Sequence, residues 1–397
     1  MHAVTVLQKC LSNGFQSMHA ARRGVLLGAI TALLIGRRLI LMELARAWPG
    51  ASRVRAPLKR LDRLLGNVHL AREAEHLYGA MAHWLIRHAR PIIVIDWSDL
   101  KPDGSLHLLR AAIPVGGRCL TVLEAIYPEA QKSSPGVEQV FLRRLQALLP
   151  SNVKPIIVTD AGFRAPWFRA VSALGWDYVG RLRNRTLVQL KREASWIANR
   201  TLHPHAQTQP RRYRATRIVR NAPWQCDLVL VRKRHRRRRC LTARGERARS
   251  RKSLKAERAS REPWLLATSL TDLSNQQIVA IYAKRMQIEE SFRDLKCDRL
   301  GCAFHYSLTR SAKRLAILLL VHALATFLAW LTALVADPHT AQRYGGIVTQ
   351  RARRHYSRLR IGWEMLRQGW SVISPQDLWR AFKHPPPWAL QELEIPE

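Results

Sequence analysis

The chain has 397 residues, 47% of them apolar, which suffices for two or three domains with real cores. Sixty-six Lys and Arg against 28 Asp and Glu leave a formal charge of +38 and a pI near 11.4. Self-repulsion at that charge opposes a compact state, so a basic surface without a partner is the poorest reading; nucleic acid is the leading polyanion and an anionic membrane face the second.

Residues 1–85 are predicted to be helical, with apolar positions at helical spacing through Leu27–Leu44, Leu58–Leu65 and Ala71–Leu85. Residues 1–18 carry no secretory signal, and six scattered cysteines, of which only Cys297 and Cys302 are close, argue against zinc; a reduced, cytoplasmic protein is expected. Lys59, Arg60 and Arg63 crowd the second helical run, a common arrangement for a helical DNA-binding module. From Pro91 the period changes to that of strands. PIIVIDWSDL is an apolar run closed by Asp96; LHLLRAAIPV and RCLTVLEAIYP follow as strands with Gly116-Gly117 as the hairpin turn. A helix over Val137–Leu149 precedes PIIVTDAGF, which repeats the design with Asp160 at its end, and a helix over Ala165–Leu174 and a strand over Trp176–Arg181 complete the unit. That order suggests an α/β ribonuclease-H-like core.

Residues 184–262 break the rhythm, with short strands expected at Val188–Leu190, Arg212–Val219 and Cys226–Arg232. An arginine-dense stretch follows, in which 15 of the 30 residues from Arg232 to Arg261 are Lys or Arg. EPWLLATSL then resumes as a strand, and one helix is predicted over Gln276–Lys296. Leu315–Ala336 is apolar over 22 residues, long enough for a membrane span but equally the pattern of a helix buried on all sides. Basic residues on both of its flanks disfavour a span, so no membrane association is expected. The tail is basic to about Arg360 and then helical with several Trp. The organisation expected from these patterns is a helical module of DNA-binding design over 1–85, an α/β domain over 86–310 with a β-rich basic insertion at about 184–262, and a helical C-terminal domain over 311–397.

Two aspartates on one sheet repel unless a cation lies between them, and hard oxygen donors suit Mg²⁺ or Mn²⁺. Asp99 and Asp103 compete with Asp96 but lie past the apolar run, where Ser98 and Pro102 suggest that the strand has ended. In YAKRMQIEESFRDLK, Tyr282, Arg285, Glu289, Arg293 and Lys296 follow helical steps of 3, 4, 4 and 3, which places one carboxylate among cations on a stripe. An ordinary salt-bridged surface helix has the same look.

Tyr282-x2-Arg285-x3-Glu289-x6-Lys296 resembles the Y-x2-R-x3-E-x6-K signature of the insertion-sequence-four (IS-four) family of cut-and-paste DDE transposases. RLDRLLGN, VIDWSD, VTDAGFRAPW, EPWLLATSL and KRMQIEESFRDLK resemble that family's blocks in order and spacing, nearest to its branch in a composite tetracycline-resistance transposon. The resemblance implies that Asp96, Asp160 and Glu289 are the catalytic, metal-holding carboxylates, with two Mg²⁺ ions and Mn²⁺ as substitute. It implies that Tyr282, Arg285 and Lys296 contact transposon-end phosphates and that Trp264 stacks on a base flipped out near the cut, although a core tryptophan at a strand start looks the same. The partners it implies are double-stranded DNA, both terminal inverted repeats and target, and a second copy of the chain in a synaptic dimer on the bacterial nucleoid. The arginine-dense insertion is more basic than that family's pattern. A ribonuclease-H-like nuclease without a transposition role and a basic architectural DNA-binding protein are the rival readings.

Overall fold

The computed structural model describes residues 2–183, 186–233, 246, 248–251, 253–254, 257, 261–336, 356–368 and 374–396. They fall into two compact units, one of residues 1–155 and 284–395, the other chiefly Ile156–Ala283. Most of the arginine-dense stretch lies outside the described residues, as does the basic flank from Arg343 to Arg354.

The first unit opens with six helices: α1 (His2–Cys10), α2 (Ser12–Phe15), α3 (Ala20–Gly36), α4 (Leu41–Arg46), α5 (Arg55–Leu65) and α6 (Val68–Leu85). The apolar run through Leu27–Leu44 is not one helix. Arg37 takes φ 59°, and its N–H closes on the Leu33 carbonyl at 2.7 Å, ending α3. A left-handed arginine is unusual. Its guanidinium is held by Glu364 and the Leu300 carbonyl, each at 2.9 Å, so contacts distant in sequence fix the turn. At the start of α6, the Asn67 side chain accepts the Leu70 N–H at 2.9 Å, an ordinary N-cap.

Next comes an antiparallel meander in the order β3-β2-β1: β1 (Ile92–Asp99), β2 (Leu106–Pro114) and β3 (Cys119–Pro128). Gly116 and Gly117 take φ 78° and 100°, and the Val115 N–H donates to the Arg118 carbonyl at 2.7 Å. A two-residue hairpin needs positive φ at such positions, so the glycine pair is legible in advance. Strand β1 runs on to Asp99, so Asp96 lies inside the strand and not at its end, and Asp99 belongs to the ladder opposite His107. Helix α7 (Pro135–Leu148) packs on β3 and α6.

The second unit holds β4 (Ile156–Thr159), α8 (Ala165–Ala173), β5 (Asp177–Leu182), β6 (Leu187–Gln189), β7 (Ile197–Ala198), β8 (Arg211–Ile218), β9 (Trp224–Val231), β10 (Trp264–Thr268) and α9 (Asn275–Ala283). Its strands run β4-β5-β10-β9-β8-β6-β7, with β4 and β5 parallel across the α8 connection and the described pairings beyond β5 antiparallel. The strands expected at Val188–Leu190, Arg212–Val219 and Cys226–Arg232 are β6, β8 and β9, and the short β7 completes the group. Arg212 secures it, pairing with Asp227 at 2.8 Å and donating to the Leu273 carbonyl at 3.0 Å.

The single helix predicted over Gln276–Lys296 is two, α9 and α10 (Met286–Lys296), with Lys284 and Arg285 in a turn between them. The first unit continues with α10, α11 (Ala312–Leu334), α12 (Arg358–Gln368), α13 (Pro375–Lys383) and α14 (Pro387–Leu393). Helix α11 is apolar all round because it is surrounded by α3, α5, α6, α12, α13 and β3. By length and composition it is able to cross a membrane, yet 94% of its most apolar window is buried within the protein. Gly362 lets α12 lie directly on it, since a Cβ there would stand 1.8 Å from the Ala329 carbonyl oxygen.

His322 lies on α11, buried among its neighbours. Its Nδ1 has no hydrogen-bond partner among the described residues, and its ring lies 6.5 Å from that of Trp363. Burial, helped by nearby Arg110, pushes its pKa down to about 3, so it is held neutral. A histidine near its ordinary 6.5 when unfolded binds the proton the folded state refuses. Its share of stability is therefore complete above pH 6.5 and lost as pH falls from there towards 3. In urea titrations at pH 7 and pH 4.5, His322→Gln should lose less stability on acidification than the wild type; an equal loss would contradict this assignment. Gly362→Ala should cost about 3 kcal/mol or more, because a backbone carbonyl cannot rotate away. Gly24→Ala, on the open face of α3 with nothing within 4 Å, should instead gain about 0.5 kcal/mol. Similar denaturation midpoints for the two variants would remove the close-approach argument.

Candidate active site

Alternation along β1 separates its carboxylates. Asp96 and Ser98 share one face, Trp97 and Asp99 the other. Asp99 is taken up on its own side. It lies 2.8 Å from both His107 Nδ1 and Lys132 Nζ, and these, Lys132 foremost, hold its carboxyl below the usual range. Asp103 is tied to Ser105 at 2.7 Å within its own turn. Both competitors of Asp96 therefore have local duties.

Asp96 is nearly buried, its side chain 12% exposed, and its Oδ1 accepts the Trp97 N–H at 2.9 Å. In register across the meander it stands opposite Arg110, which stands opposite Glu124. Residues directly opposite share a face, so carboxylate, guanidinium and carboxylate form one row. Arg110 pairs with Glu124 at 2.7 Å, Tyr78 donates to Glu124 at 2.6 Å, and Phe292 of α10 covers the guanidinium at 5.1 Å. No single strand's pattern announces this row. An arginine inside an apolar strand was the available signal, since a buried charge needs a partner.

Helix α10 lies on this meander. Arg285, at its N-terminal edge, places one guanidinium nitrogen 2.6 Å from Glu289 Oε1 and 3.8 Å from Asp96 Oδ2. Glu290 turns to Arg293 at 2.7 Å, so of the two adjacent glutamates Glu289 is the one that shares a cation with Asp96. Arg293, four residues after Glu289 on the same helix, is exposed, its side chain 66% open to solvent. At the helix C-terminus Lys296 donates to Ser98 Oγ at 2.6 Å, and burial pushes its ammonium down to about 8 despite the Asp99 and Asp96 carboxylates. Among the described residues no three His, Cys, Asp or Glu side chains form a ready metal cluster.

In the second unit, Asp160 follows β4 directly, half-buried, and accepts the Gly162 N–H at 2.7 Å, which fixes its turn. Trp264 opens β10 half-buried. Tyr282 meets its ring edge-on at 4.7 Å, and Lys233, at the edge of the arginine-dense stretch, lies over it at 4.1 Å. Tyr282 is 3% exposed and so packs instead of joining a surface stripe. On α5, Lys59, Arg60 and Arg63 are exposed while Leu61, Leu64 and Leu65 face inward.

Helix α10 is fastened to the β2–β3 hairpin by three further contacts. The Gly117 N–H donates to Gln287 at 2.9 Å, the Cys119 N–H to Ser291 Oγ at 2.8 Å, and Arg118 pairs with Asp294 at 2.5 Å. Ser291→Ala strands a buried N–H, which costs about 1–3 kcal/mol. Chemical denaturation should read that loss, and amide exchange at Cys119 should accelerate; unchanged exchange would show that the hydroxyl does not pin the helix.

No curated protein matches the chain. A solved structure, the cryo-EM piggyBac transposase synaptic complex with hairpin DNA, aligns with 100% of this chain and 80% of that one at 12% identity and TM-score 0.41, a likeness too slight to argue from. The family model described as "Transposase DDE domain" matches residues 87–326, more than half of the chain and a span that includes Asp96, Asp160 and Glu289. The chain belongs to the DDE transposase family.

Proposed function

We propose that this protein is the transposase of a bacterial insertion sequence of the IS-four type, which binds the element's ends and catalyses metal-dependent cleavage and strand transfer. The observation that carries the reading is the convergence of Asp96 and Glu289, from a strand and a helix, on the single cationic group of Arg285. Carboxylates brought together on a rigid frame are placed where a cation is held. Their hard oxygen donors suit Mg²⁺, with Mn²⁺ as substitute. Asp160 joins them on sequence context: an apolar strand delivering an acid, inside the family span.

In this reading Asp96, Asp160 and Glu289 would hold two divalent ions. Such a pair supplies an activated water and a counter-charge for the leaving oxygen of a phosphodiester. Lys296, half-buried beside Ser98, and Arg285 position phosphate oxygens near the cut. Trp264 offers a ring to an unstacked base. The exposed Lys59, Arg60 and Arg63 face of α5 binds duplex phosphates at the element end. Water-driven nicking would free a 3′-hydroxyl at the element end; its attack on the opposite strand would close a DNA hairpin and release the 3′-hydroxyl of the flanking strand. Water would reopen the hairpin, and the same 3′-hydroxyl would then join a target phosphate with release of a target 3′-hydroxyl. Pairing two ends requires a homodimer, and the place of action is the nucleoid in the cytoplasm. The meander β3-β2-β1, helix α7 and the parallel β4–β5 pair support a ribonuclease-H-like core.

Asp96→Ala, Asp160→Ala and Glu289→Ala should each abolish Mg²⁺-dependent nicking of element-end duplex while leaving binding to it largely intact. Groups that act as a unit lose nearly everything with any one member, so a double variant should be little worse than a single. A nicking assay beside a gel-shift assay reads both, and near-normal cleavage by one variant would remove that residue from the site.

A further inference from the structure

Arg285 does more than flank the carboxylates. One of its nitrogens lies within reach of both, and its side chain, like that of Asp96, is only 12% exposed. The turn that carries it is fastened: the Lys284 ammonium donates to the Glu392 and Glu394 carbonyls at 3.0 and 2.7 Å, and the Gln287 and Ile288 N–H groups donate back three residues, to the Lys284 and Arg285 carbonyls, at 3.0 and 3.2 Å. The turn that breaks the predicted helix therefore presents the guanidinium to this one place. A guanidinium keeps its charge at any working pH, so it cannot be neutralised in place to share the carboxylates with a divalent ion.

We infer that Arg285 is a positioning residue that occupies the cation site between Asp96 and Glu289 until a nucleic-acid phosphate draws it away, so that divalent-metal loading is coupled to DNA engagement. The inference rests on the metal reading above. Seating a divalent ion between these oxygens displaces Arg285, and a displaced guanidinium needs another anion. The phosphodiester brought to the site is that anion, and a planar fork suits it. Coupling of this kind is reciprocal: phosphate in the site tightens metal binding, and metal tightens phosphate binding. It also answers a difficulty set by the +38 charge. A chain so basic binds any duplex over its surface, and a site filled by its own cation withholds metal from contacts that never reach it.

The test is Mn²⁺ titration of the full-length protein without DNA, with free ion read by electron paramagnetic resonance, for wild type, Arg285→Gln, Arg285→Lys and Asp96→Asn. Arg285→Gln should bind Mn²⁺ at least about tenfold more tightly than wild type, with Arg285→Lys between them and Asp96→Asn weakest. Thermal unfolding of the metal-free variants checks folding, and Arg285→Gln should gain more from added Mn²⁺ than wild type. A purely structural role for Arg285 would weaken metal binding or leave it unchanged, and either result overturns the inference. Equal, Asp96-dependent affinity in wild type and Arg285→Gln would sink the exchange and spare the metal reading. Absence of Asp96-dependent Mn²⁺ binding in every variant would sink both.

Discussion

The attachment of helix α10 to the three-stranded meander is the constraint on which the rest of the candidate site depends. Five polar links make it. Arg285 joins Asp96 and Glu289, Gln287 and Ser291 accept from the hairpin backbone, Asp294 pairs with Arg118, and Lys296 reaches Ser98. They run the length of the helix, so Glu289 is indexed to β1 by more than its own ion pair. Beneath them, the buried row of Asp96, Arg110 and Glu124 fixes one cation in register with the first carboxylate. Burying that arginine is tolerable because Glu124 and Tyr78 complete its surroundings.

Helix α11 provides the stiff backing. Its apolar surface is covered on every side, and its contact with α12 is close enough that only glycine fits at position 362. The same packing that makes its sequence look like a membrane span makes it the centre of the first unit. A neutral, buried His322 at the heart of that packing ties stability to pH without taking part in the chemistry proposed for the site.

Much of this was legible in the sequence wherever local pattern decides. The apolar runs before Asp96 and Asp160, the Gly116-Gly117 hairpin and the strands at β6, β8 and β9 all depend on near neighbours in the chain. What escaped was set by contacts between distant residues. The strand continues through Trp97, Ser98 and Asp99 because β2 pairs with it, not because those residues are apolar. The row through Arg110 follows from strand register, which no single strand reveals. The break at Lys284–Arg285 was invisible because both residues are good helix formers, and the ties that hold the turn come from positions 392 and 394. Tyr282 leaves the predicted stripe for the same reason: it belongs to α9, where it packs against Trp264.

The central claim is that these carboxylates serve metal-dependent cutting of DNA at the ends of the element that encodes the chain. The most direct measurement mixes the purified wild-type protein with a duplex spanning the gene's outer boundary and resolves the strands on a denaturing gel. With Mg²⁺ or Mn²⁺ the account requires a nick at the element end that leaves a free 3′-hydroxyl, with none in the presence of chelator. An intact boundary duplex under Mg²⁺ and Mn²⁺ alike, or cleavage that survives chelation, would contradict it.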